Sequence, residues 1–174
     1  GGHEDVVRLL LSKGASSATR QGRPSLLHAA AAGGIESLVR ELLAHGAAAD
    51  LSGRGALSPL HLAARGGHLG VVRIFLEAKV PISSGTDKED SPLHLAAGEG
   101  HVVVVRALLA TGAPIDAPDS SWGATALHRA AGAGSMATVL TLLEAGARAD
   151  VPGRIGETAA VWAARAGHER LTRL

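Results

Sequence analysis

The chain has 174 residues, 46 % of them hydrophobic, enough to bury a core and unlike a disordered composition. Seventeen basic residues face sixteen acidic ones, a formal net charge of +1, which gives no electrostatic drive toward nucleic acid or an anionic membrane. Cysteine is absent, no apolar run approaches the ~20 residues of a membrane span, and Gly1 to Asp5 lacks the basic and apolar regions of a signal peptide. A disulfide framework and a thiolate site are excluded, and a cytoplasmic or nuclear location is expected.

Aromatic residues are only 2 %, namely Phe75, Trp122 and Trp162, so the core must come from Ala, Leu and Val, which suits thin helices packed closely. In chain order, residues 2–15 read as one short helix without a partner before it. From there the chain alternates two kinds of short helix. The first kind is clearest after Ser58-Pro59 and Ser91-Pro92, where a hydroxyl cap precedes a proline at the first helical position. Leu60 with Ala63 and Ala64, and Leu93 with Ala96 and Ala97, form its apolar face. Gly66-Gly67 and Gly98 to Gly100 break it. The second kind carries Val71, Val72, Phe75 and Leu76, or Val104, Val105, Leu108 and Leu109, a stripe of helical period. Gly46, Gly112 and Gly146 are expected to stop it with positive φ. A polar stretch rich in Gly and Pro then leads to the next cap.

Three markers keep one period. The histidines of Leu27-His28, Leu60-His61, Leu93-His94 and Leu127-His128 are 33, 33 and 34 residues apart. Gly34, Gly67, Gly100, Gly134 and Gly167 follow at 33, 33, 34 and 33. Gly14-Ala15, Gly46-Ala47, Gly112-Ala113 and Gly146-Ala147 form the third series, with Lys79-Val80 where a further pair is due. Repetition of this kind signals a stack of supersecondary units. We divide the chain into a partial repeat at 1–20, repeats at 21–53, 54–86, 87–119 and 120–153, and a partial repeat at 154–174. The last is expected to hold a first helix and, from Glu169 to Leu174, the start of a second. Neither end reads as a polar cap, so a piece of a longer array is expected.

The stretch from Ser58 through Pro59-Leu60-His61-Leu62-Ala63-Ala64 to Gly67-His68 and Val71-Val72, recurring as Ser91 to Val105, closely resembles the ankyrin repeat. The resemblance covers essentially the whole chain. It implies an all-α solenoid of helix-turn-helix units joined by β-hairpin-like loops. Lys79 departs from the pattern at the stop glycine, where a β-carbon costs ~1 kcal/mol if φ is positive. Leu26, Ala126 and Ala159 replace the proline, and Val161 replaces the histidine. Arg23, Ala56 and Glu89 replace a turn glycine that Gly123 and Gly156 keep.

Nine histidines invite a metal hypothesis, but eight fall in the two repeat series, His28, His61, His94 and His128, then His3, His68, His101 and His168; only His45 lies outside both. Stacked helices lie ~8–10 Å apart, while zinc ligands converge at ~2.0–2.1 Å from one ion. A ladder of equivalent histidines therefore cannot share a metal, and hydrogen bonds to neighbouring turns are expected instead. Gly98-Glu99-Gly100 ends a helix, whereas a phosphate loop precedes one and carries Lys-Ser/Thr. No nucleophile–histidine–acid or paired-carboxylate arrangement stands out, so neither enzymatic activity nor a cofactor is expected. Ser83 to Asp90 reads as a solvated hairpin tip, with phosphorylation as the alternative. Asp50, Asp116 and Asp150 stand where relatives are sometimes hydroxylated on asparagine.

The resemblance further implies a concave surface of hairpin tips and first helices that holds a protein or peptide. Its positions are Gln21 and Pro24, then Arg54, Leu57 and Arg65, then Asp87, Lys88, Asp90 and Glu99, then Trp122 and Ala124, then Arg154, Ile155, Glu157 and Arg165. These residues change from repeat to repeat while the scaffold residues recur. Trp122 has two readings, a binding hot spot or a side chain folded over the neighbouring hairpin to cover the longer loop there, which has one extra residue. Trp162 takes the place of Leu62 and Leu95 and is expected to pack. The expected function is a monomeric, non-catalytic scaffold or adaptor; the alternatives are a regulatory segment of a larger enzyme or channel, and a structural spacer.

Overall fold

A computed structural model describes residues 25–49, 57–82 and 90–172. The described residues form helices and turns without strands, in the order α1 (Leu26–Ala32), α2 (Glu36–Ala44), α3 (Pro59–Arg65), α4 (Leu69–Glu77), α5 (Pro92–Gly98), α6 (Val102–Ala110), α7 (Ala126–Gly132), α8 (Met136–Glu144) and α9 (Ala159–Arg165). The odd-numbered helices have seven residues and, except for the last, each is followed by a nine-residue partner. The expected helix in residues 2–15 lies outside the described residues.

Helices this short do not hold their shape alone, because nucleation is costly. Packing supplies the rest. The first helices stack as α1, α3, α5, α7 and α9, the second helices as α2, α4, α6 and α8 behind them, and each pair also packs internally. The core runs between the two layers. Leu27, Leu60, Leu93 and Leu127 enter it from one side together with the Ala-Ala pairs, while Val39 and Leu42, Val71 and Phe75, Val104 and Leu108, and Leu142 enter from the other. The alanines are what let the first helices approach.

Each first helix begins at a hydroxyl cap. Ser58 and Ser91 accept the backbone N–H of His61 and His94, and proline follows at the first helical position. Each second helix ends on a left-handed residue: Gly46, Gly112 and Gly146 at φ 78°, 88° and 95°, and Lys79 at φ 55°. The geometry at this stop belongs to the fold, and Lys79 adopts it despite its β-carbon.

The described hairpins close through Asp119 N–H to Ala124 O at 2.7 Å and Gly153 N–H to Glu157 O at 2.8 Å. At the chain's end, Glu169 to Thr172 form turns rather than the expected helix start. Leu171 N–H bonds His168 O at 2.9 Å, and Leu171 is buried.

Candidate protein-binding groove

The histidines couple each helix start to the next repeat. Ser91 N–H donates to His94 Nδ1 at 3.2 Å, so Nδ1 is the unprotonated nitrogen. Nε2–H then donates to Ala117 O at 2.9 Å and Ala124 O at 3.0 Å in the following hairpin. His128 repeats the device, accepting from Thr125 N–H at 3.1 Å and donating to Glu157 O at 3.0 Å. The second series ties helix ends together: Nε2 of His68, His101 and His168 bonds Ala32 O, Arg65 O and Gly132 O at 2.9, 2.9 and 3.2 Å. These nitrogens are engaged in scaffold bonds. Among the described residues no three His, Asp or Glu side chains converge as metal ligands.

Burial pushes the His94 imidazole below its ordinary pKa, more strongly than the charges of Asp90 and Asp119 and the carbonyls of Ala117 and Ala124 raise it. The same burial lowers His61 to about 4.

A groove of about 620 Å³ crosses α5, α7 and α9 on the first-helix face. Its floor is set by Gly98 and Gly132, and its walls by Leu95, Arg129 and Trp162. The last three occupy the same repeat slot, directly after the histidine position. The glycines match them. A β-carbon at Gly132 would stand 3.3 Å from Trp162 Cε3, and one at Gly98 would stand 3.7 Å from Arg129 Cβ. A large residue in one repeat thus sits over a glycine in the repeat before. Trp162 is half-buried and meets His128 edge-on, with ring centroids 5.5 Å apart and planes at 77°.

Arg129 is the electrostatic centre of the groove. Its guanidinium bonds Asp119 through Nε at 3.1 Å and Nη2 at 2.7 Å, and bonds Asp90 through Nη2 at 2.8 Å. The Asp119 side chain is fully buried. It also accepts the backbone N–H of Trp122 at 2.7 Å and of Ala124 at 3.2 Å. Burial alone would raise the Asp119 carboxyl, but these amides and the Arg129 charge together outweigh it and hold it below its ordinary pKa. One carboxylate therefore closes the longer loop, positions the Trp122 backbone and anchors Arg129. Neither Asp119 nor Arg129 is among the binding residues expected from the sequence. The available signal was a charged residue at 129 where Leu62 and Leu95 stand in the siblings.

The hairpin tips rise beside the groove. Trp122 and Ile155 hold equivalent tip positions, each before a left-handed glycine, and are 57 % and 66 % exposed. The tips are joined by Arg154 N–H to Trp122 O at 2.7 Å and by Arg154 Nη2 to Ser120 O at 3.1 Å. The Trp122 side chain is largely exposed on its tip, and Asp119 closes the loop that carries it.

Of the other expected binding residues, Asp90, Glu99, Glu157 and Arg165 line the groove, with Glu157 and Arg165 ion-paired to each other. Arg65 is exposed at the end of α3 and Leu57 is half-buried before it. Ala124 is a correction: it is fully buried, its carbonyl engaged by His94 and by Asp119 N–H, so it offers no surface to a partner. Gln21, Pro24, Arg54, Asp87 and Lys88 lie outside the described residues, as does Asp50. Asp116 and Asp150 both engage Arg148: Asp116 accepts its backbone N–H at 3.1 Å, and Asp150 its guanidinium at 3.3 Å.

The ankyrin-repeat family model matches the chain in three overlapping copies, over residues 1–84, 27–119 and 60–153. The chain belongs to the ankyrin repeat family. Members are in general protein–protein interaction modules and typically non-catalytic. No curated protein matches the chain. Among the described residues no helix is long and apolar enough to cross a membrane.

Proposed function

We propose that the protein is a non-catalytic recognition module that holds a protein or peptide along the groove over α5, α7 and α9, with Trp122 and Ile155 as apolar anchors at its edge. The observation that carries this reading is the pairing of two large, exposed apolar side chains on adjacent, mutually hydrogen-bonded tips with a groove beside them. Exposed tryptophan costs solvation and supplies much contact area, which is why it dominates hot spots. The rigid helices beneath lose little entropy on binding. The charged side chains of the groove support a non-catalytic role, since Arg129, Asp90, Arg165 and Glu157 neutralise one another.

The test is affinity capture from cell extract with the wild-type array, a Trp122→Ala, Arg154→Ala variant, and an Arg73→Ala, Arg106→Ala control on the second helices. Partners lost with the first variant and kept by the control are expected. Titrated against such a partner, Trp122→Ala should cost over ~1 kcal/mol of affinity with little change in melting temperature. Equal capture by all three proteins would sink the proposal.

A further inference from the structure

Resting on that reading of the groove, we propose that its occupant is an extended, basic segment of a partner protein, whose arginine or lysine side chains meet Glu99 and the open ring surface of Trp162. The whole chain is close to neutral, but the groove is not. Three carboxylates line it, Asp90, Glu99 and Glu157, against two guanidiniums, Arg129 and Arg165. Both guanidiniums are already committed, Arg129 to Asp90 and the buried Asp119, Arg165 to Glu157. What remains uncompensated is Glu99, which is exposed and has no ion-pair partner among the described residues. An acidic partner would have to break the Arg129 network to find a cation, whereas a basic one meets a free carboxylate on arrival.

Shape narrows the occupant further. The floor is low because Gly98 and Gly132, beside Arg129 and Trp162, carry no side chain where Arg65 and Arg165 extend one in the repeats on either side. A long, unbranched side chain fits such a slot. Trp162 is only half-buried, and the ring surface it leaves open can receive a cation. The groove spans two steps of the first-helix stack, about 16–20 Å at ~8–10 Å per step. At ~3.3 Å per residue this is the reach of five or six extended residues. Charge complementarity, depth and length therefore agree on a short basic stretch.

The test is selection from a phage-displayed library of random dodecapeptides on the immobilised array, followed by fluorescence polarisation of the enriched, labelled peptides. Enrichment in Arg and Lys is expected. Glu99→Lys should weaken those peptides about ten-fold, and raising salt should weaken their wild-type binding. Gly98→Leu should abolish binding by filling the floor. Gly98 lies at the end of α5 and is absent from the left-handed residues, so this variant should keep its circular dichroism melt; Glu99→Gln, expected to weaken binding less than the reversal, serves as the surface-only variant. Enrichment of acidic or uncharged peptides that still need an open Gly98 floor would overturn the basic segment while leaving the groove as the binding site. Peptides blind to Gly98→Leu but lost with Trp122→Ala, Arg154→Ala would overturn this inference and leave only the tips of the broader reading. Selection of no peptide would overturn both.

Discussion

Lys79 sits at φ 55°, in the left-handed region that Gly46, Gly112 and Gly146 occupy in the sibling repeats. At those glycines a β-carbon would meet nothing within 4 Å, so the cost at Lys79 is one of backbone dihedral rather than crowding. Lys79→Gly should stabilise the array by ~0.5–1 kcal/mol, the left-handed penalty less the entropy of a more flexible unfolded chain. Urea titration checks this, and a lower midpoint would contradict it. Asp119 presents the opposite case. Asp119→Ala removes a buried carboxylate and strands the N–H groups of Trp122 and Ala124 together with half of the Arg129 network. A loss of ~2–4 kcal/mol is expected, with altered fluorescence of Trp122 in the folded state, since the loop carrying it loses its closure. The strain at Lys79 was visible in the sequence because the repeat names the residue that should stand there. The role of Asp119 was not, because the extra residue in its loop destroys the alignment that would have exposed it.

At the scale of the element, cap and histidine act as one unit. The imidazole accepts at Nδ1 from the cap and, in α5 and α7, donates at Nε2 to the next hairpin, which requires the neutral form. Burial takes His61 from the ordinary 6.5 down to about 4 and shifts His94 in the same direction. Between the folded and unfolded values the unfolded chain binds more protons than the native one. The stability from these histidines is therefore complete above pH ~6.5 and lost as pH falls below it, for His61 toward about 4 and by a few kcal/mol at most. Urea midpoints measured across that window should fall with acidification, and His61→Gln should flatten the profile. A profile already flat in the wild type would contradict the neutral cap unit. The Ser-Pro and Leu-His pattern of these elements was readable in advance, whereas the carbonyl partners of Nε2 were not, since they come from loops 23 to 30 residues further along the chain.

At the scale of the whole molecule, first helices pack on first helices and second on second, each against its immediate neighbours. Stability in such a stack is a sum of unit and interface contributions. Leu93 is essentially buried at the centre, so Leu93→Ala should cost ~2–5 kcal/mol. The loss should be local. Hydrogen exchange should speed up in α5 and in its neighbours α3 and α7 before it does in α1, and an even loss of protection across the array would show that the repeats are not nearest-neighbour coupled.

The repeat, its caps and stops, and the ladder of histidines were legible before folding, because these answer to local backbone needs that recur every 33 or 34 residues. The sequence also marked a strip of residues that differ from repeat to repeat. Which of these residues lie close together depends on how the repeats stack. Stacking buried Ala124, left Trp122 and Ile155 exposed on linked tips, and set Arg129 between Asp90 and Asp119. It also opened the groove over Gly98 and Gly132. The reason is physical: periodicity reports what each unit requires of its own backbone, while charge pairing and groove depth arise between units, from side chains that meet only when the repeats stack.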